Sequence, residues 1–276
     1  MGWMEGRAAF ANGVPMLEHV TVDRGRRVLL GAAGALILQA ILQPTTASGQ
    51  SATSAGSSPG SSPAPSPKLK IGIIGAGHIG STIGGLWIKA GHPVFLSSRH
   101  PEELQDLVAR LGPLAQAGKV DQAIAFGDVV FIAVPYGALP QISKDYGKSL
   151  AGKIVLDANN AVASRDGAVA DEVERDGIGV TSQKYLPGAR LVRAFNTLSY
   201  TIFEREAHRP APRLAVPIAG DDQEAVQIAA QLVRDAGFDP VEVGKLVDAS
   251  RFQRGAPGYG QSVSAAELKQ KLSLAP

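Results

Sequence analysis

Three glycines, Gly75, Gly77 and Gly80, stand at G-x-G-x-x-G spacing within the run IGIIGAGHIG. That spacing suits the pyrophosphate of a dinucleotide. The first glycine permits a tight exit from a strand, the second lets the main chain approach the phosphates, and the third allows close packing of the following helix. The helix itself contributes free amides and a positive dipole end. The expected cofactor-binding turn is therefore Gly75, Ala76, Gly77, His78, Ile79 and Gly80. His78 is its one titratable side chain and is expected to lend a backbone amide rather than act in catalysis.

Downstream of the next apolar run stands Ser97-Ser98-Arg99-His100. Sites that prefer NAD place a carboxylate at this point to bind the ribose hydroxyls, and a carboxylate would repel a 2'-phosphate. Ser98 and Arg99 offer a hydroxyl and a guanidinium instead, which selects NADP(H). Two further strand ends join the same edge. Residues 129–134 (VVFIAV) break at Pro135-Tyr136-Gly137-Ala138, where an open α/β sheet places the nicotinamide half of its ligand. Residues 153–157 (KIVLD) lead into Ala158-Asn159-Asn160, whose neutral amides suit close approach to a ring or carbonyl. Tyr136 either lies along the cofactor or caps the sheet.

These groups need elements to hold them. Residues 70–74 form a continuous apolar run, as expected of a strand covered on both faces. Residues 79–90 carry apolar side chains at helical spacing and stop at Gly91; Trp87 on this helix is expected in the core. A second strand is predicted over 93–97, and a helix opens at Pro101 with Glu102 and Glu103 in its first turn. A small-residue connection and a short helix over 121–125 precede the VVFIAV strand. Later strands are predicted over 191–195, 213–218 and 241–243, with a helix from about 222 to 236. Ser264 and Glu267 form a capping box that predicts a final short helix.

Other chemistries lack their residues. The chain has no cysteine, and its five histidines show no ligand spacing, so neither a thiol nor a metal site is expected. A G-x-S-x-G nucleophile elbow is also missing. The formal net charge of +2 over 276 residues comes without a basic block, and no nucleic-acid footprint is present. Hydride transfer fits these absences, because holding two rings close, aligned and dry requires no acid or nucleophile from the protein. The expected partner is a small-molecule redox carrier.

The set IGIIGAGHIG, SSR, AVPY, DANN and RAFNT, in that order across residues 69–246, resembles the NADPH-dependent oxidoreductases of coenzyme F420. The same domain type is similar to the N-terminal domain of pyrroline-5-carboxylate reductases and to the NADPH-binding domain of membrane ferric reductases. The resemblance implies that Ala76, Gly77, His78 and Ile79 wrap the pyrophosphate and that Ser98 and Arg99 hold the 2'-phosphate. It also implies that Val134, Ala138 and Ala194 line the nicotinamide and ribose, and that coenzyme F420 or a flavin is the second substrate. Glu102 and Glu103 occupy the region where some members carry a further basic residue, and no dense basic cluster matches the anionic groups of coenzyme F420. Lys184 suggests the lysine of hydroxyacid dehydrogenases, but too few residues follow Val243 for the all-helical domain of those enzymes.

Ahead of the glycine turn, residues 28–67 contain no charge. Residues 28–42 are apolar, and a helix of that length spans about 22 Å, short of a hydrocarbon core of roughly 30 Å. Arg26-Arg27 directly before this run resembles a twin-arginine export signal, with cleavage expected after Ala47 and Met16 as the start that gives an ordinary leader length. Residues 48–67, rich in Ser, Pro and Gly, read as a linker. The expectation is an exported, periplasmic protein without a stable membrane span once the leader is removed, or a cytoplasmic one if the leader is not functional. Its fold is a single α/β, Rossmann-type doubly wound domain over residues 68–246 with a mainly parallel sheet. Residues 247–276 form a short C-terminal extension, and a homodimer is expected by analogy with small domains of this type.

Overall fold

A computed structural model describes residues 68–275. The export leader and linker expected over residues 1–67 lie outside the described residues.

The first half follows β1 (Ile71–Ile74), α1 (His78–Lys89), β2 (Val94–Ser97), α2 (Gln105–Leu111), β3 (Ala115–Gly118), α3 (Val120–Phe126), β4 (Val129–Ile132) and α4 (Leu139–Leu150). The second half runs β5 (Ile154–Asp157), α5 (Ala163–Asp166), α6 (Ala168–Asp176), α7 (Ile178–Tyr185), β6 (Arg190–Arg193), α8 (Tyr200–Glu206), β7 (Ala215–Gly220), α9 (Gln223–Asp235), β8 (Asp239–Gly244) and α10 (Ala265–Lys271). The eight strands form one sheet in the order β3-β2-β1-β4-β5-β6-β7-β8. All pairs are parallel except β6 with β7. Since β7 and β8 are parallel to each other but reversed relative to β6, their carboxyl ends lie at the opposite rim from those of β1, β4, β5 and β6.

Alternation along the strands divides the core into two layers. Ile71, Ile73, Val129 and Phe131 face the layer covered by α1, α8 and α9, whereas Ile74, Val130 and Ile132 face the layer covered by α4, α7 and α10. Both layers exclude water, as the continuous apolar strands require. In the first, Trp87 is fully buried, edge-on to Phe131 and Phe195, and its Nε1 donates to the Leu232 carbonyl at 2.8 Å. Full burial of such a side chain stabilises by roughly 1.5–3 kcal/mol. The second layer includes Leu246 and Phe252 from a 3-10 segment after β8, and Leu268 and Leu272 from the tail. Ser264 caps α10 through its reciprocal bonds with Glu267, as the capping box predicts.

Three features differ from the sequence reading, and a fourth concerns a segment for which the sequence predicts no element. The small-residue connection before α3 contains β3, whose Ala-Gln-Ala-Gly sequence has weak strand propensity but pairs along β2. The segment opened by Pro101 begins as a 3-10 turn, Pro101–Leu104, before α2 starts at Gln105. The strand expected over 191–195 ends at Arg193 because Phe195 adopts φ 60°. Residues 163–185 hold three short helices, broken where Gly167 and Gly177 take φ of 53° and 85°. Among the described residues, no helix is long and apolar enough to cross a membrane.

Candidate functional site

The glycine turn leaves β1 between two neighbouring strands. Ile74 is in register with Ser97 of β2 and Ile132 of β4, so residues following these three positions share one rim. Gly75 takes φ 103°, and its amide and that of Ala76 both donate to the Ser97 carbonyl at 3.1 Å. A Cβ on Gly75 would stand 2.4 Å from the Ala133 carbonyl oxygen, and one on Gly80 would stand 1.9 Å from the Gly75 carbonyl oxygen. Gly77 behaves differently: at φ −72° it is the N-cap of α1, and a Cβ there would meet nothing within 4 Å. The absent side chain therefore faces open space at the start of a helix whose first amides lack helical partners. That cradle fits a pyrophosphate.

Ser98 follows β2, with its Oγ accepting the His100 amide at 2.9 Å and its own hydrogen free to donate. Arg99 is exposed and forms no ion pair with another described residue. No carboxylate occupies the end of β2, which fits a 2'-phosphate. The next carboxylates, Glu102 and Glu103, are exposed beside His100, whose Nδ1 lies 3.4 Å from Glu102 Oε1.

Beyond β4, Val134 and Ala138 are half-buried and Pro135 is exposed, on the rim that adjoins the glycine turn. Two carboxyl-terminal neighbours fix this loop. The Val134 amide donates to Asn159 Oδ1 at 2.7 Å, and the Gly137 amide donates to Asp166 Oδ1 at 3.0 Å. Asp166 also accepts from the Val162 amide and from Arg165. Burial alone would raise its pKa, but the bonds from Arg165, Gly137 and Val162 outweigh that and hold it below the ordinary carboxylate value.

Asn159 is nearly fully buried, so its side chain orients the Val134 loop instead of lying open to a ligand. Behind it, Arg193 donates to the Asn159 carbonyl, and the Asn159 amide donates to Asp157 Oδ1 at 2.8 Å. Asp157 and Arg193 are register partners at the ends of β5 and β6. Tyr136 is fully buried, with its hydroxyl 2.9 Å from Ser182 Oγ, and so caps the sheet. Burial pushes its pKa above the usual range and the Asp157 charge adds to this, so it is a neutral group and not a base.

Ala194 is fully buried in the first core layer, and its side chain does not reach the open rim. Lys184 is an exposed partner of Glu172 at 2.9 Å. The structure thus assembles Gly75 to Gly80, Ser98, Arg99, Val134, Pro135 and Ala138 on one rim, with Asn159 supporting them from beneath. Sequence reasoning did not anticipate Tyr200, whose ring stacks on His78 with centroids 4.3 Å apart and planes inclined by 10°. Its nearest signal was position, four residues beyond Asn196 in RAFNT. The stack ties the first turn of α1 to the start of α8.

Comparison with known proteins supports the same domain. The family model described as NADP oxidoreductase, coenzyme F420-dependent, matches residues 70–161. Metalloreductase STEAP3 of Rattus norvegicus is 29% identical over 194 residues, covering 67% of this chain and 36% of the rat protein. The chain thus spans about a third of that relative's length. A hypothetical protein from Sinorhizobium meliloti superposes with a TM-score of 0.60 at 28% identity, over 71% of this chain and 95% of that one. A candidate F420-dependent NADP-reductase from Arthrobacter sp. FB24 shares the fold at a TM-score of 0.58 and 23% identity, over 66% and 87% of the two chains. Residues 70–161 of this chain thus match the model described as NADP oxidoreductase, coenzyme F420-dependent, and lie within a Rossmann-like α/β sheet.

Proposed function

We propose that the domain binds NADP(H) and passes hydride between it and a flat redox carrier, coenzyme F420 or a flavin. The observation that carries this reading is the open space above Gly77, near an exposed Arg99 that makes no ion pair among the described residues and a strand end without a carboxylate. Bound NADPH would supply the hydride. The first-turn amides of α1 would hold its pyrophosphate, and Ser98 and Arg99 its 2'-phosphate. Val134 to Ala138, fixed by Asn159 and Asp166, would orient the nicotinamide face and exclude water from it. No proton needs to move through a protein side chain, in keeping with a neutral Tyr136. An assay of NADPH oxidation with coenzyme F420, FMN and FAD in turn tests the reading. Turnover with one of them is expected, and tight NADPH binding without turnover on any acceptor would sink it.

A second reading rests on the share of STEAP3 that is matched. Here the domain supplies NADP(H) binding while the redox partner lies on another chain; tight binding with no turnover in isolation is its signature. For either reading, Arg26-Arg27 before the apolar run supports export of the chain folded with its cofactor. Fractionation of cells expressing the full chain and an Arg26→Lys, Arg27→Lys variant tests this. An unchanged distribution would count against twin-arginine export.

A further inference from the structure

Asp166, which holds the Gly137 amide of the Val134 to Ala138 loop, shares α5 with Ala163, and Ala163 lines a cavity of about 340 Å³. Ala161 lines it two residues beyond Asn159, and Val173 of α6 and Ile178 of α7 add apolar floor. Its polar groups are Glu174, Gln253 and Arg254. Gln253 is committed, because its Oε1 accepts the Ile178 amide at 3.0 Å and pins the loop to α7. Arg254 is exposed and makes neither an ion pair nor a hydrogen bond with another described residue. Gly255 has φ +85°, and a Cβ there would meet nothing within 4 Å, so this side of the cavity is open.

We propose that this cavity is the second-substrate subsite: its apolar floor takes one edge of a planar ring, and Arg254 takes an anionic group, phosphate or carboxylate, on that ring's tail. The proposal rests on the hydride-transfer reading above. Small-molecule sites commonly occupy about 300–1,000 Å³, so this cavity is large enough for a ring system but too small for another dinucleotide. Glu174 on the α6 side disfavours an anion there and leaves the Arg254 side as the favourable one. A single free guanidinium meets the need that the sequence left open, since one charge-assisted contact can anchor an anionic tail without a dense basic cluster.

FMN and riboflavin share a ring and differ in the tail phosphate, which makes them the probes. Equilibrium titrations by flavin fluorescence use the full chain, with and without NADP+. The wild type is expected to bind FMN about tenfold to a hundredfold tighter than riboflavin, the range of one hydrogen bond to a charged group. Arg254→Gln should bring FMN to the riboflavin value, and Arg254→Lys should retain part of the preference. A Val173→Trp change, which fills the floor, should weaken both flavins while NADP+ binding persists. Equal affinities in the wild type, an FMN preference that survives Arg254→Gln, or no flavin binding overturns the proposal. Failure of NADP+ to bind instead overturns the reading beneath it, and the flavin comparison without NADP+ stays readable.

Discussion

Arg193 Nη1 lies 2.5 Å from Asp157 Oδ2, and both side chains are completely buried. The pair closes the carboxyl ends of β5 and β6, and through Asn159 it supports the loop that follows β4. A buried ion pair adds little net stability over an apolar replacement, but loss of one member strands the other charge. Its evident effect is to fix the geometry of the rim.

Arg193→Met or Asp157→Asn alone should therefore destabilise the domain by about 3–5 kcal/mol. The double variant should cost less than the sum, because it leaves no unpaired charge. Urea unfolding of the four proteins in this cycle measures the coupling. Strict additivity would show that the two groups act independently.

Gly77 and Gly80 should separate binding from folding. A Cβ at Gly80 collides with the Gly75 carbonyl, so Gly80→Ala should lower stability by about 1–3 kcal/mol and disrupt the turn. A Cβ at Gly77 meets only open space, so Gly77→Ala should cost less than about 1 kcal/mol yet abolish tight NADP(H) binding. Thermal melts paired with NADPH titration give both readouts. Normal binding by Gly77→Ala would place the pyrophosphate elsewhere.

Arg99→Gln should weaken NADPH by about tenfold to a hundredfold and leave NADH unchanged, because only NADPH presents a 2'-phosphate to the guanidinium. Dissociation constants for the two cofactors test this. An equal loss for both would point to a structural role for Arg99.

Asp166 should make the Val134 to Ala138 loop sensitive to acid, since its carboxylate accepts the Gly137 amide. Its folded pKa lies below the ordinary value of 3.8, so its stabilisation is complete above that value and is lost as the pH falls through the lower folded pKa. Asp166→Asn should reduce stability near neutrality and flatten the stability profile below pH 3.8. Denaturant melts from neutral to strongly acidic pH, compared with the wild type, supply the curve. An unaltered profile would assign the acid response to other carboxylates.

The parts of the fold that were legible in sequence are those set by local rules. The glycine turn, the stop at Gly91 and the Ser264–Glu267 cap each depend on residues within a few positions of one another. By contrast, β3 owes its strand to hydrogen bonds from β2, and a four-residue Ala-Gln-Ala-Gly run carries no pattern of its own. The reversal of β7 is set by how a connection crosses the sheet. The Asp157–Arg193 pair did have a trace in sequence, since two opposite charges end neighbouring apolar runs, but their register becomes evident only with the strands paired. Arg254 lay in the C-terminal segment, where only contact with α6 and α7 gives it a role.

The burial of Trp87 has an optical consequence. Only one other tryptophan, Trp3, is present, and it lies outside the described residues. Trp87 sits on α1, the helix whose first turn faces the proposed phosphates, and it is held edge-on between Phe131 and Phe195. Because indole emission overlaps nicotinamide absorption in the reduced but not the oxidised state, excitation energy can pass from Trp87 to bound NADPH and not to NADP+. The helix that forms the cofactor turn thereby carries an internal lamp for the redox state of its ligand.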